Sequence, residues 1–296
     1  MKDYIVSTDS GCDLPAKLLE ERGIIPFGLF YEIGGELFED TMKDSDIVGF
    51  YEKMRNGAVP KTSQGTQPQF EAFFTSLLGQ SKTIVYISLG SAVSGSYASA
   101  AAAAREVEKA NPESRIFVVD STLCSTGYGM LALKAAELRD KGVSVEECVA
   151  EIERLKITVN TWYTTDELLY LRRSGRCSRA SQVVGTILKI CPILNLDAEG
   201  HLIVQERVRG IEKTIARIHS IIKENVVDAT NQTLYICHST TPEKAREFGE
   251  GLRADVGFRD VFYTYIGAII GSNCGPGLRA AFYFGKPRTM DGYSGK

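Results

Sequence analysis

A chain of 296 residues, 44% hydrophobic and 24% charged, has room for two domains with ample cores; its net charge of −3 and lack of any basic run leave no electrostatic case for nucleic acid. Seven scattered cysteines without a C-x-x-C, and three histidines (His201, His219, His238) in no ligand spacing with them, predict a reduced, intracellular, metal-free protein. The N-terminal stretch meets a charge and a turn too early for a signal peptide and no run of about 18 apolar residues could cross a bilayer, so a cytoplasmic protein with no integral membrane span is expected.

Tyr4 to Thr8 reads as a first strand, stopped by the polar turn Asp9-Ser-Gly-Cys-Asp13, after which Leu14-Pro15 opens a helix ending at Gly23. Ile24 to Tyr31 reads as one further strand, and Gly34-Gly35 as a hairpin into Leu37-Phe38. A helix from about Ser45 to Asn56 takes Gly57 as its left-handed stop. Pro60 to Gly65 reads as an extended, hydroxyl-rich linker that keeps Thr62 and Ser63 outside the next helix, which Thr66-Gln-Pro-Gln69 announces as a capping box. Taken alone, Lys-Thr-Ser-Gln is ordinary loop chemistry.

Thr83 to Ser88 is apolar and β-branched enough for a buried strand, and Ala98 to Lys109 is strongly helix-forming, with Asn111-Pro112 as its end. Between them, Ser91, Ser94 and Ser96 either cap the helix or, together with its free N–H groups, hold an anion. The Gly90 to Gly95 spacing imitates a P-loop, yet Ser96 and Tyr97 follow where Lys and Ser/Thr belong, so a nucleoside triphosphate is not expected. No G-x-S-x-G surrounds Ser94 either, because position 92 is Ala. Neutral hydroxyls at a helix end suit a singly charged group such as a carboxylate.

Arg115 to Asp120 reads as a strand, followed by a helix to Lys141-Gly142 in which Gly127-x-Gly129 begins too far from the strand for a dinucleotide fingerprint and is read as close helix packing. Ser144-Val-Glu-Glu147 caps a helix to about Lys156. This alternation predicts a parallel, Rossmann-like sheet covered on both faces. The texture changes at about residue 157, which is taken as a boundary between domains 1–157 and 158–285. Thr158 to Tyr163 reads as a strand and Asp166 to Leu171 as a short helix running into Arg172, Arg173, Arg176 and Arg179, a charge run that by itself is a solvated helix end.

Ser181 to Ile190 is apolar enough for a buried helix. Cys191 to Leu196 and His201 to Arg209 pair as a hairpin, with Arg207 and Arg209 on one face, and Gly210 starts a helix to Asn225. Thr233 to His238 and Val261 to Ile266 read as strands around a helix opened by Thr241-Pro242. Gly267 to Gly277 reads as a glycine-dense loop before a last strand, Leu278 to Phe284, and residues 286–296 as a flexible tail. The fold class expected is therefore two-domain α/β, with a parallel sheet in the first domain and a mixed sheet in the second.

Five features in order, Ser-Thr-Asp-Ser-Gly-Cys-Asp-Leu (7 to 14), Lys-Thr-Ser-Gln (61 to 64), Ser-Gly-Ser-Tyr (94 to 97), Leu-Arg-Arg-Ser-Gly-Arg (171 to 176) and Gly-Pro-Gly (275 to 277), give a chain that resembles the DegV family of bacterial fatty-acid-binding proteins over roughly 1 to 285. The resemblance implies a long-chain fatty acid such as palmitate, stearate or oleate in a tunnel between the domains, no other cofactor, and its carboxylate on Thr62, Ser94 and Gly95. It also implies, from relatives that carry acyl groups for a bacterial fatty acid kinase, a separate ATP-dependent subunit as partner, with Ser63, Arg172, Arg176, Arg209 and Asn273 around the head group or the docking surface. Such a protein is a carrier in lipid transport or fatty acid metabolism and not itself a catalyst. Asn273 stands where the family's loop usually carries a histidine. The competing readings are a small-molecule enzyme that holds a phosphate or carboxylate substrate at the Ser94 turn with His238 as base, and a binding protein for another acid.

Overall fold

The computed structural model describes residues 3–165, 168–176 and 190–293. Strands β1 (Ile5–Asp9), β2 (Ile24–Phe27), β6 (Thr83–Ser88) and β7 (Arg115–Asp120) form a parallel sheet in the order β2-β1-β6-β7. β6 is buried almost along its whole length, which explains its mostly apolar run; β1 is buried throughout, its Ser7 and Thr8 hydroxyls bonded to the carbonyls of Ile25 and Ile87. Around them lie α1 (Ala16–Glu21), α2 (Asp44–Arg55), α3 (Gln67–Leu77), α4 (Ser96–Ala110), α5 (Thr126–Asp140) and α6 (Val145–Leu155). The two capping boxes read from sequence, Thr66 with Gln69 and Ser144 with Glu147, are formed.

The expected Gly34-Gly35 hairpin is part of a separate small antiparallel sheet, β4-β3-β5. The run read as one strand from Ile24 to Tyr31 is two, because after β2 the chain turns through Gly28, pressed against the Glu39 side chain, and leaves the parallel sheet. It resumes as β3 (Phe30–Ile33), pairs with β4 (Glu36–Glu39) across the Gly34-Gly35 hairpin, and takes β5 (Lys61–Ser63) on its other edge, with Thr62 opposite Tyr31. The stretch read as a linker thus contains an edge strand.

The second sheet is mixed, β10-β9-β8-β13-β11-β12, built from β8 (Val159–Thr165), β9 (Ile190–Leu196), β10 (Leu202–Arg209), β11 (Thr233–His238), β12 (Asp260–Tyr265) and β13 (Leu278–Phe284). Helices α8 (Ile211–Asn225) and α9 (Pro242–Val256) cover one face, and α7 (Leu168–Ser174) follows β8. The helix expected from Ser181 falls, up to residue 189, outside the described residues, as do Cys177 and Arg179.

Two further expectations are corrected. The glycine-dense stretch is mostly a helix, α10 (Ala268–Cys274), in which Gly271 is required because a Cβ would collide with the Tyr51 hydroxyl. Residues 286–293 are not a free tail. Arg288 is buried and donates to the carbonyls of Thr122 (3.0 Å), Asp197 (2.7 Å) and Lys156 (3.3 Å), and the Tyr293 hydroxyl bonds Glu224.

Candidate functional site

One end of a cavity of about 550 Å³ is assembled from β5 and the turn between β6 and α4. Gly65, just past β5, lies so close to the Phe70 and Phe27 rings that a side chain there would overlap them, and its N–H donates to Ser96 Oγ (3.1 Å). In the turn, Gly90 abuts the Leu123 backbone and donates to its carbonyl (2.8 Å), and the N–H groups of Val93 and Ser94 return to the Gly90 carbonyl. Ser91 gives both its N–H (3.0 Å) and its hydroxyl (2.5 Å) to Asp120, so it has no proton left for an anion. Ser94 remains half-buried at the cavity end, its oxygen accepting the Ser96 N–H (3.2 Å) and sharing a hydrogen bond with Ser96 Oγ (3.0 Å). Gly95 caps α4, whose first N–H groups have no intrahelical partner, and a Cβ on it would strike the Gln64 amide.

The rest of the lining is mostly apolar. Strand alternation turns Leu278, Ala280 and Phe282 of β13 toward it and Ala281 and Tyr283 into the core beneath α8 and α9. Tyr163 and Thr161 of β8 lie opposite Ala280 and Phe282, so the floor runs from Leu278 to Phe282, about 13 Å at the usual strand rise. Leu29, Leu89 and Val93 from the first half, Leu202 of β10, and Ile269 and Ile270 of α10 complete the walls.

Of the residues singled out in the sequence, Thr62, Ser63, Ser94, Gly95, Arg176 and Asn273 all line this cavity. Arg172 and Arg209 do not; both are exposed on the surface, as is Arg207. The Asn273 amide donates to the Ile269 carbonyl one turn back (3.0 Å), which leaves one of its two protons for other use. His238 does not line the cavity: its ring packs edge-on against Tyr265, and burial pulls its pKa down to about 4. It is therefore neither placed nor tuned as a base for the Ser94 turn. Among the described residues no cluster of His, Cys, Asp or Glu could hold a metal ion, and no helix is long and apolar enough to cross a membrane.

Behind the cavity lies a feature that sequence reading passed over as a polar turn. Asp9, Asp13 and Asp40 are buried together. Asp9 accepts from the Tyr128 hydroxyl (2.5 Å), the Tyr86 hydroxyl (3.0 Å) and the N–H groups of Leu89 and Gly11 (3.2 Å each). Asp13 accepts from Ser125 Oγ, on the cavity wall, and from the Gly267 N–H (2.8 Å) at the start of α10. Burial raises the pKa of all three carboxyls, that of Asp40 to about 6, because ionisation in a dry interior is costly. The signal was present in Asp9-Ser-Gly-Cys-Asp13; that both carboxylates turn inward could not be read from it.

The family model described as an uncharacterised protein of the DegV family matches residues 4–286. A DegV domain-containing protein of Clostridium perfringens is 31% identical over 287 residues, covering 96% of this chain and 98% of its own. The crystal structure of DegV from Bacillus subtilis, described as a fatty acid binding protein, superposes with a TM-score of 0.84 at 29% identity, covering 97% of this chain and all of that one. A DegV family protein from Thermus thermophilus, solved in a study of fatty acid binding, superposes with a TM-score of 0.84 at 27% identity, covering 96% of this chain and 99% of that one.

Proposed function

The chain belongs to the DegV family, and from that premise we propose that it binds a long-chain fatty acid in the cavity lined by β5, the turn before α4, β13 and α10, with the carboxylate on Thr62, Ser94 and the Gly95 end of α4. The observation that carries this reading is the polarity of the cavity: hydroxyls and a helix N-terminus at one end, and an apolar body closed by β13 and α10. Its volume lies within the usual range for small-molecule sites, about 300 to 1,000 Å³. A fatty acid with ~15 methylenes gains on the order of 10 kcal/mol on leaving water, at ~0.8 kcal/mol per CH₂ and before ordering costs. The head group need only be oriented, which neutral donors do without a buried counter-charge and its desolvation penalty.

The protein acts as a cytoplasmic carrier in this reading, presenting the carboxylate to an ATP-dependent fatty acid kinase. Arg176, at the cavity, meets the charge that phosphorylation adds, and the exposed Arg172 and Arg209 face the kinase. Solvent extraction of the purified protein followed by mass spectrometry tests the ligand: a stoichiometric long-chain fatty acid is expected, and a different acid or a phosphorylated metabolite would overturn the reading. Arg176→Ala tests the role of the arginines: lipid content should hold while phosphorylation per bound lipid falls.

A further inference from the structure

We infer that Ser96 is the positioning residue of the carboxylate clamp, setting the spacing of its two arms and the direction of the Ser94 proton; this rests on the fatty acid reading above. Ser96 is fully buried and lines the cavity beside Ser94, its hydroxyl already engaged with both arms. It sits at the one point where the two arms join. Its Oγ accepts the Gly65 N–H (3.1 Å), which anchors the end of the Thr62-bearing strand, and bonds Ser94 Oγ (3.0 Å), while its own N–H bonds the same Ser94 oxygen (3.2 Å).

A hydroxyl has one proton and two lone pairs. Ser94 has one lone pair occupied by the Ser96 N–H, and its proton can go either to Ser96 Oγ or to an anion in the cavity. When it goes to a carboxylate, the hydrogen bond between the two serines survives only if the Ser96 proton turns onto the second lone pair of Ser94. The result is a relay, from the Gly65 N–H to Ser96 Oγ, from the Ser96 hydroxyl to Ser94 Oγ, and from the Ser94 hydroxyl to the carboxylate. Each donor in such a chain polarises the next, and a fully formed chain is stronger than its separate links. No covalent bond changes, and the protein needs no cation at the head group to strengthen Ser94 as a donor. Alanine at 96 would remove the relay and leave the Gly65 N–H without its acceptor; threonine would keep the hydroxyl.

The test is a double-mutant cycle on the full chain, read as the affinity for [1-¹³C]palmitate and as the apparent pKa of its bound carboxyl by ¹³C NMR. Ser94→Ala and Ser96→Ala should each weaken binding about tenfold, the size of one hydrogen bond to a charged group, and the double variant little more than either. Both single variants should raise the bound carboxyl pKa, and Ser96→Thr should restore affinity and pKa. Wild-type affinity and carboxyl pKa in Ser96→Ala, or losses that add fully, would overturn the role of Ser96. If Ser94→Ala itself binds normally, the head-group assignment fails and the Ser96 role falls with it. A measurement on the unmodified protein guards against a variant that does not fold: the Gly65 amide proton should move downfield when palmitate binds, and an unmoved resonance in the saturated complex counts against the relay.

Discussion

β1 and β6 are neighbours in the same parallel sheet, and each runs into a polar turn, but the two turns hold opposite chemistry. After β1, the carboxyl of Asp9 accepts four hydrogen bonds from its own surroundings and Asp13 is tied to Ser125 and Gly267; the turn has filled itself with acid and has nothing to offer an anion. After β6, the polar groups are hydroxyls and a helix N-terminus, uncharged and with a proton that can be redirected. In the proposed reading, a strand end of this sheet serves as a ligand site where its donors are left unclaimed. In that reading the first turn spends its polar groups on internal hydrogen bonds, and the second offers its donors to the ligand.

The sharpest way to break this division is Asp9→Ala, which strands two tyrosine hydroxyls and two backbone N–H groups in the core. Urea denaturation should show a loss of about 3 to 5 kcal/mol, the range for a broken buried network. Asp40 tests the same turn by pH. Its folded pKa, about 6, lies above the ordinary 3.8, so the folded state holds the proton more tightly; the stability this contributes is full below about pH 4 and is lost as pH rises through 6. Asp40→Asn mimics the protonated form and should gain on the native protein by about 3 kcal/mol across that window, measured as unfolding free energy against pH. An unchanged difference between the two proteins from pH 4 to 7 would show that Asp40 ionises normally.

On the other turn, Thr62→Ala combined with Ser94→Ala should lower fatty acid affinity by about 2 kcal/mol, more than either alone, while the unfolding midpoint moves little. Calorimetric titration against denaturation curves separates the two effects, and a variant that unfolds easily yet binds normally would reverse the comparison. The smallest effect is expected for Asn273→His. Imidazolium pairs with a carboxylate where the amide only donates, so affinity should rise by about 0.5 to 1 kcal/mol as pH falls below the histidine pKa, with no such pH dependence in the native protein.

Regular elements were legible where one physical signal governed them. Thr83 to Ser88, Arg115 to Asp120 and Thr233 to His238 are apolar runs bounded by turn residues, and their strand limits match the structure. The misreadings have specific causes. Apolar character continues through Ile24 to Tyr31 although the chain changes sheets, because both sheets bury it. Four glycines between 267 and 277 make the stretch read as a loop, whereas Gly271 answers to the distant Tyr51, a tertiary demand without a local signature. Lys286 to Tyr293 is polar enough for a tail, and what holds it down is tertiary: buried carbonyls that take Arg288, and Gln205, Glu224 and Trp162 around Tyr293. At the candidate site, motif reading brought Thr62, Ser94 and Asn273 together across the sequence, and all three line one cavity. It could not see that Ser91 is committed to Asp120 or that Ser96 joins the two arms, since hydrogen-bond direction is not written in residue type.

The place of α10 and β13 downstream of the other elements that line the cavity also governs when it can exist during synthesis. β13 is the strand between β8 and β11, and α10 supplies Ile269, Ile270 and Asn273 to the wall. A nascent chain that has passed Thr165 carries both hydroxyls and all four strands of the parallel sheet, yet on one edge β8 waits for β13, more than a hundred residues downstream. Such distant pairing is slow, and it leaves apolar surface uncovered on the ribosome until β13 emerges. The cavity is therefore confined to chains that extend through β13, and a product stopped before Ala268 would carry Thr62 and Ser94 without it.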